Sequence, residues 1–267
     1  MPTKINYGDF AANTVAGCTK LSAGCENCWS CRISATRLKH HPLYEAVSKV
    51  ETETSWKTNR PVAFKCYRWT GNIKLDLTPL RKTLTMRKPR RVLVNFTGDT
   101  FHEKIVYDQL DEMFAVMALG TQHTYLVLTK RAERMMHYFN MPDDNGDIIE
   151  CPPPPNVWLG VSVENQAAAD ERIPRLMNTP AAVKWVSLEP LLSKVDMTPY
   201  LTGLDLVILG CESGPNRRPC EIQWIEDIVD QCDAADVACW VKQMEVNKKV
   251  EHDVNRFPKY LQRRELP

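Results

Sequence analysis

The sequence predicts an α/β fold and, within that class, a (β/α) barrel of the TIM type, complete or partly open, with a cysteine-rich metal loop near its start. Three observations carry this. Short Val/Ile/Leu-rich runs recur at the spacing of βα units, and amphipathic stretches fit between them. The runs are apolar almost throughout rather than alternating, as strands buried on both faces are. Counting a short strand ahead of the cysteines, the total is seven or eight, which favours a barrel over a sandwich or bundle. A doubly wound open sheet is the alternative. A chain of 267 residues is long enough for one such domain, 1–267, and no repeat or second domain interrupts it.

In chain order, residues 1–17 are polar, with a brief strand near Asn13–Ala16. The loop Cys18–Cys31 follows. Trp29 to His41 reads as one helix ended by Pro42, with Cys28 and Cys31 one turn apart at its start. Residues 43–60 carry alternating charges and read as helix and loop. The expected strands are Val62–Arg68, Arg91–Phe96, Thr124–Leu128, Val157–Val163, Val183–Leu188, Leu204–Leu209 and Val237–Val241. The expected helices are Val106–Leu119, Ala132–Phe139, Asn165–Met177 and Glu221–Ala235. Met141–Pro155, with Asn-Gly and four consecutive prolines, reads as a surface excursion, and 245–267 as a charged extension that caps the barrel.

A net charge of +1 argues against holding nucleic acid by bulk electrostatics, although local patches remain. No apolar run approaches the ~20 residues of a membrane helix, and the N-terminus lacks a signal-peptide core. The expected location is therefore cytoplasmic, where ten cysteines are reduced thiols or metal ligands rather than a disulfide framework.

Four of those cysteines, Cys18, Cys25, Cys28 and Cys31, lie within fourteen residues. Gly17 and Gly24 precede the first two and let the backbone turn tightly around a metal centre. Three thiolates on a 4Fe–4S cluster leave one iron open to a cofactor. Four thiolates on zinc make a closed structural site, but that site's usual form is two separated C-x2-C pairs. The remaining Cys66, Cys151, Cys220, Cys232 and Cys239 read as buried thiols.

In a parallel barrel the chemistry sits at the C-terminal strand ends. There the sequence puts Asp99, His102 and Glu103, then Thr129, Lys130 and Arg131, then Ser162 and Glu164, Glu189, Cys211 and Glu212, and Lys242 and Gln243. Carboxylates gathered on one rim repel unless they bind cations or hydroxyls or share protons.

The segments GCTKLSAGCENCW, DTFHEKI, LTKRAERM, NVWLGVSVEN, SLEPLL, ESGPNRRP and VKQM occur in that order from Asn13 to Met244. Together they resemble a phage-associated three-cysteine family of formerly unknown function, whose members look like radical S-adenosylmethionine (SAM) enzymes. The resemblance implies a barrel with a 4Fe–4S cluster on Cys18, Cys25 and Cys28, with Cys31 a non-ligand. Cys211 stands where that family usually has a second glycine. It further implies SAM cleavage to a 5′-deoxyadenosyl radical that abstracts hydrogen from substrate, with an external electron donor.

Under that reading Lys130 or Arg131 serves the methionyl carboxylate, Ser162 and Glu164 the ribose, and Asp99 the amino group, with Thr129 a further cofactor-binding candidate. Glu189, Glu212, Lys242 and Gln243 remain for the substrate as catalytic candidates, with His102 a further one. The implied substrate is a modified base in phage DNA, or its nucleotide, such as an amino-acid-decorated thymine. Isomerisation suits a chain without an auxiliary-cluster domain. A DNA photoproduct lyase is the alternative enzyme, and a zinc-stabilised nucleic-acid-binding barrel the alternative of another class. Phosphate contacts are expected from Arg81-Lys82, Arg87-Lys88 and Arg90-Arg91 and from Lys248, Lys249, Arg256, Lys259, Arg263 and Arg264. Trp29, Trp69 and Trp158 are candidate stacking surfaces for a flipped base. A monomer or weak oligomer in the host cytoplasm, without membrane contact, completes the expectation.

Overall fold

A computed structural model describes residues 3, 5–57, 60–142, 145–146 and 148–267. Its centre is an eight-stranded sheet assembled from β1 (Phe10–Ala12), β6 (Arg91–Val94), β7 (Thr124–Thr129), β10 (Val157–Ser162), β11 (Val183–Leu188), β12 (Leu206–Gly210), β13 (Ala238–Val246) and β14 (Lys249–Glu251), in that order. All neighbours are parallel except the β13–β14 hairpin. The strand order never reverses, so no doubly wound switch point forms. Among the described residues the first and last strands do not pair, and the sheet is not a closed barrel.

Curvature still gives the sheet an inside. Tyr7, Leu93, Leu126, Trp185, Leu206, Ile208 and Trp240 form one buried cluster drawn from both ends of the strand order. The Tyr7 ring meets those of Trp185 and Trp240 at 6.3 and 6.4 Å, and Trp240 Nε1 donates to Asn6 Oδ1 at 3.0 Å. The segment before β1 thus spans to β13. Gly160 on β10 makes room for Trp185, because a methyl there would lie 2.4 Å from the indole.

The outer face carries the larger core under α3 (Tyr107–Leu119), α4 (Ala132–Phe139), α5 (Gln166–Met177) and α6 (Ile222–Ala234). These four helices lie within one residue of their sequence-predicted bounds. The open edge of β13 is covered rather than left to pair with another chain. Val241 N–H donates to Arg263 at 3.2 Å, Glu265 N–H to Cys239 at 3.1 Å, and Phe257 and Leu261 are buried in the core. Residues 245–267 therefore seal an edge instead of capping a barrel. No helix among the described residues is long and apolar enough to cross a membrane.

The N-terminal third departs most from expectation. The first sheet strand is β1, while β2 (Val15–Ala16), close to the expected Asn13–Ala16, pairs with β5 (Lys74–Leu75) outside the main sheet. Helix α1 (Trp29–Ala35) stops well before Pro42: Thr36 leaves helical backbone space and its hydroxyl donates to the Arg32 carbonyl at 2.7 Å. Residues expected as helix and loop form β3 (Ser48–Lys57), paired antiparallel with β4 (Arg60–Trp69). Val62–Arg68 is thus a strand, but of a separate hairpin. A short helix, α2 (Thr78–Arg81), precedes β6, and part of the Met141–Pro155 excursion is a small hairpin of β8 (Asn140–Pro142) and β9 (Ile148–Glu150). Cys220, Cys232 and Cys239 are buried as expected, whereas Cys66 is half-buried and Cys151 exposed, since the hairpin and the excursion lie off the core.

Candidate functional site

One cavity opens at the C-terminal strand ends, between the sheet and the cysteine loop. Of the fourteen residues singled out from sequence, twelve line it: Cys18, Cys25, Cys28, Asp99, Thr129, Lys130, Arg131, Ser162, Glu189, Glu212, Lys242 and Gln243. Glu164 and His102 are buried behind the wall. Strand geometry explains most of the set, because Thr129 and Ser162 end β7 and β10 and Glu189 follows β11 directly. Lys242 and Gln243 are the exception. They lie inside β13, where neighbouring side chains should face opposite sides. A register shift opposite Leu209/Gly210 re-aims them, and both reach the cavity.

The cysteine loop is seated on this rim by close approaches. Gly17 has φ +92°, and a methyl there would lie 2.1 Å from the Asn72 carbonyl. A methyl on Gly24 would touch the Glu164 carboxylate at 3.1 Å and Lys130 Nζ at 3.2 Å. Cys28 caps α1, and Cys31 lies in its first turn. Cys31 faces a separate recess lined by Cys25, Tyr67, Arg68 and Trp69 rather than the main cavity. Burial pushes the Cys18 thiol up to about 12, with the Asp99 carboxylate adding to it and Arg131 opposing. Burial also raises Cys28, and raises Cys31 to about 12 with help from Cys28 and Cys18.

Among the described residues no three His, Cys, Asp or Glu side chains are grouped so as to hold a metal ion. The donor chemistry nevertheless suits an iron–sulfur cluster. Three thiols of one loop line one cavity, and a metal would displace the protons that burial keeps on Cys18 and Cys28.

Asp99 is a fully engaged hub. It accepts from Thr129 Oγ1 at 2.7 Å, Phe101 N–H at 3.0 Å, Lys130 N–H at 3.3 Å and Arg131 Nη1 at 2.9 Å. Lys130 Nζ donates to Ser162 Oγ at 2.6 Å and to Glu164 at 3.2 Å. Arg172 donates to Glu164 from behind at 3.0 Å. Burial alone would raise the Glu164 carboxyl, but Lys130 and Arg172 outweigh it and bring it down to about 2.

His102 is a support beneath the loop rather than a cavity residue. Its Nδ1 accepts the Lys104 N–H at 3.2 Å, which leaves Nε2 to donate to Thr19 Oγ1 at 3.2 Å. Burial and the Arg131 charge lower its pKa, so it is neutral at pH 7. Glu212 ties two loops together, accepting from Asn27 at 3.0 Å and from the Arg218 backbone and guanidinium at 2.7 and 3.0 Å. Burial works to raise Glu212, yet Arg218 holds it below the usual carboxylate range. Gln243 Nε2 donates to the Cys211 carbonyl at 2.7 Å.

Glu189 is held more loosely. Its Oε2 accepts from Tyr7 and Ser187, each at 3.1 Å. Its Oε1 is buried and lies 2.7 Å from Lys242 Nζ, off the hydrogen-bond direction. Burial, reinforced by Glu189, holds the Tyr7 phenol well above its ordinary value.

Sequence reasoning missed Tyr7, Asn27 and Arg218. Tyr7-Gly8, separated by Asp9 alone from the apolar triplet Phe10–Ala12, was the available signal for the first. The other two stood inside the quoted motifs, unassigned. The aromatic candidates divide: Trp29 and Trp69 line the cavity, whereas Trp158 packs against the inner cluster. Arg81, Lys82, Arg87, Lys88 and Arg90 are exposed, but they precede β6 and so lie at the end of the sheet away from the cavity. In the tail Arg263 pairs with Asp233, Arg256 with Glu251, and Arg264 lies over the Trp240 ring. The Lys248–Lys249 turn, whose Lys248 carbonyl accepts from Arg217, follows β13 on the cavity side.

The chain belongs to the DUF5131 family, described as a protein of unknown function, whose family model matches residues 2–266. No curated protein and no solved structure matches it.

Proposed function

We propose that this protein is a radical SAM enzyme that holds a 4Fe–4S cluster on Cys18, Cys25 and Cys28 and rearranges a modified base, such as an amino-acid-decorated thymine in phage DNA. The observation that carries this reading is the shared wall: these three thiols face the cavity that the sheet rim lines, while Cys31 faces another recess. Held there and reduced by an external one-electron donor, such a cluster would supply cleavage of SAM to methionine and a 5′-deoxyadenosyl radical able to take a hydrogen atom from substrate.

The chain's own residues do the positioning. Lys130 offers a cation beside the loop to the methionyl carboxylate, and Ser162 Oγ a hydroxyl to the cofactor. Asp99, with both oxygens engaged by protein, and Glu164, held at Oε2 by Lys130 and Arg172, shape the wall and set the loop's height. Glu189, with Lys242 and Tyr7, lines the cavity on the substrate side, and its carboxylate is the group to take or return a proton. Trp29 and Trp69 at the cavity and the Lys248–Lys249 turn support a base-in-DNA substrate. Anaerobic protein should contain iron and sulfide and, with dithionite and SAM, release 5′-deoxyadenosine. Nucleoside mass spectrometry of DNA made with and without the gene identifies the base and separates isomerisation from photoproduct repair.

A zinc-stabilised nucleic-acid-binding protein is the second reading, favoured by the recess that Cys25 and Cys31 line together. Cys31→Ser separates the two by metal analysis. Unchanged iron content supports the cluster, and loss of zinc supports the four-thiol site.

A further inference from the structure

Arg131 does not face the cavity as a free cation. It caps α4 and its side chain is buried, with all three guanidinium nitrogens occupied. Nε donates to Glu103 at 2.7 Å, Nη1 to Asp99 at 2.9 Å and to Cys18 Sγ at 3.7 Å, and Nη2 to Thr19 Oγ1 at 2.7 Å. His102 reaches the same Thr19 hydroxyl from the other side. Two consecutive loop residues, one a thiol, are therefore fastened to the β7–α4 junction by a single planar fork. A lysine cannot reproduce that reach, because its charge sits at one point.

We propose that Arg131 is a positioning residue for the cysteine loop, fixing Cys18 from behind and raising the reduction potential of the cluster that Cys18 helps to hold. The first half stands on the contacts alone, and the second rests on the function proposed above. A buried cation donating a hydrogen bond to a ligating sulfur favours the more negative, reduced cluster, one of the ways a protein sets cluster potential. Lys130 is thereby left as the cation that serves the cofactor.

The test compares full-length wild type with Arg131→Met and Arg131→Lys. The lysine variant keeps a charge beside Asp99 and guards against a methionine variant that fails to fold. In metal-free protein, amide hydrogen exchange at Cys18–Lys20 should be at least several-fold faster in both variants. After anaerobic reconstitution, both should lose iron to a chelator faster than wild type, and the midpoint potential should fall, further for methionine than for lysine. Exchange, iron loss and potential all equal to wild type would overturn the proposal. A wild-type chain that takes up no iron overturns the cluster reading and the potential claim, and exchange at the loop then still decides the positioning role.

Discussion

Glu164 and Glu189 stand just past the ends of neighbouring strands, each beside a lysine, and the sequence reading hands both to bound molecules, one to the cofactor and the other to the substrate. The structure separates them. Glu164 is 1% exposed and gripped by Lys130 and Arg172, with Gly24 pressed against it. Among the described residues Glu189 meets one cation, Lys242, accepts from two hydroxyls, and lines the cavity. A carboxylate gripped by two cations behind the cavity builds the wall, whereas one that lines the cavity beside a single cation is placed to meet a ligand. The difference lies in the second cation and in what covers each group.

The largest effect expected from breaking this contrast is on the Glu164 side. Glu164→Gln leaves Lys130 and Arg172 facing each other without a counter-ion, and should destabilise the fold by about 3–5 kcal/mol in denaturant unfolding. A loss below about 1 kcal/mol would mean that the cations find other partners and that the wall does not depend on this carboxylate. The pH dependence sharpens the point. A carboxyl brought down to about 2 in the fold, from an ordinary 4.5, stabilises at neutral pH. That contribution, roughly 3 kcal/mol, is complete above the unfolded value and disappears as pH falls through the folded one. The stability gap between wild type and Glu164→Gln should therefore close between pH ~4.5 and ~2.

On the Glu189 side the order of effects reverses. Glu189→Gln should leave unfolding within about 1 kcal/mol of wild type while reducing turnover about a hundredfold, the scale of a lost proton-transfer group. A variant that unfolds readily yet turns over normally would make the two glutamates alike. The smallest expected change is that of Tyr7→Phe, which removes one donor to Glu189 and should cost about 1 kcal/mol of stability with a several-fold loss of turnover. Equal losses from Tyr7→Phe and Glu189→Gln would place the phenol, rather than the carboxylate, in the reacting role.

The helical side of the fold was legible for a physical reason. Amphipathic helices such as Ala132–Phe139 bury one face, and that burial imprints a period on the sequence. Of the β3–β4 hairpin only β4 was legible; in β3 the alternating Val50, Glu51, Thr52, Glu53 and Thr54 mix charge with β-branched residues, and charge hid the period of two. The Lys242–Gln243 pair was found for the wrong structural reason. Both were expected beyond the strand end, and both reach the cavity only through the bulge opposite Gly210.

The chain's order of residues determined which side chains could gather at the rim, since strand periodicity and the cysteine spacing are local properties. It also set the βα rhythm, because each run is long enough to declare its own burial. Tertiary structure alone decided that Arg131 backs a thiol while its neighbour Lys130 faces the cavity. It likewise decided that Cys31 turns into another recess and that the sheet curves without closing. Those outcomes depend on distances between groups far apart in sequence, and no local pattern encodes which of two adjacent side chains a distant loop will cover.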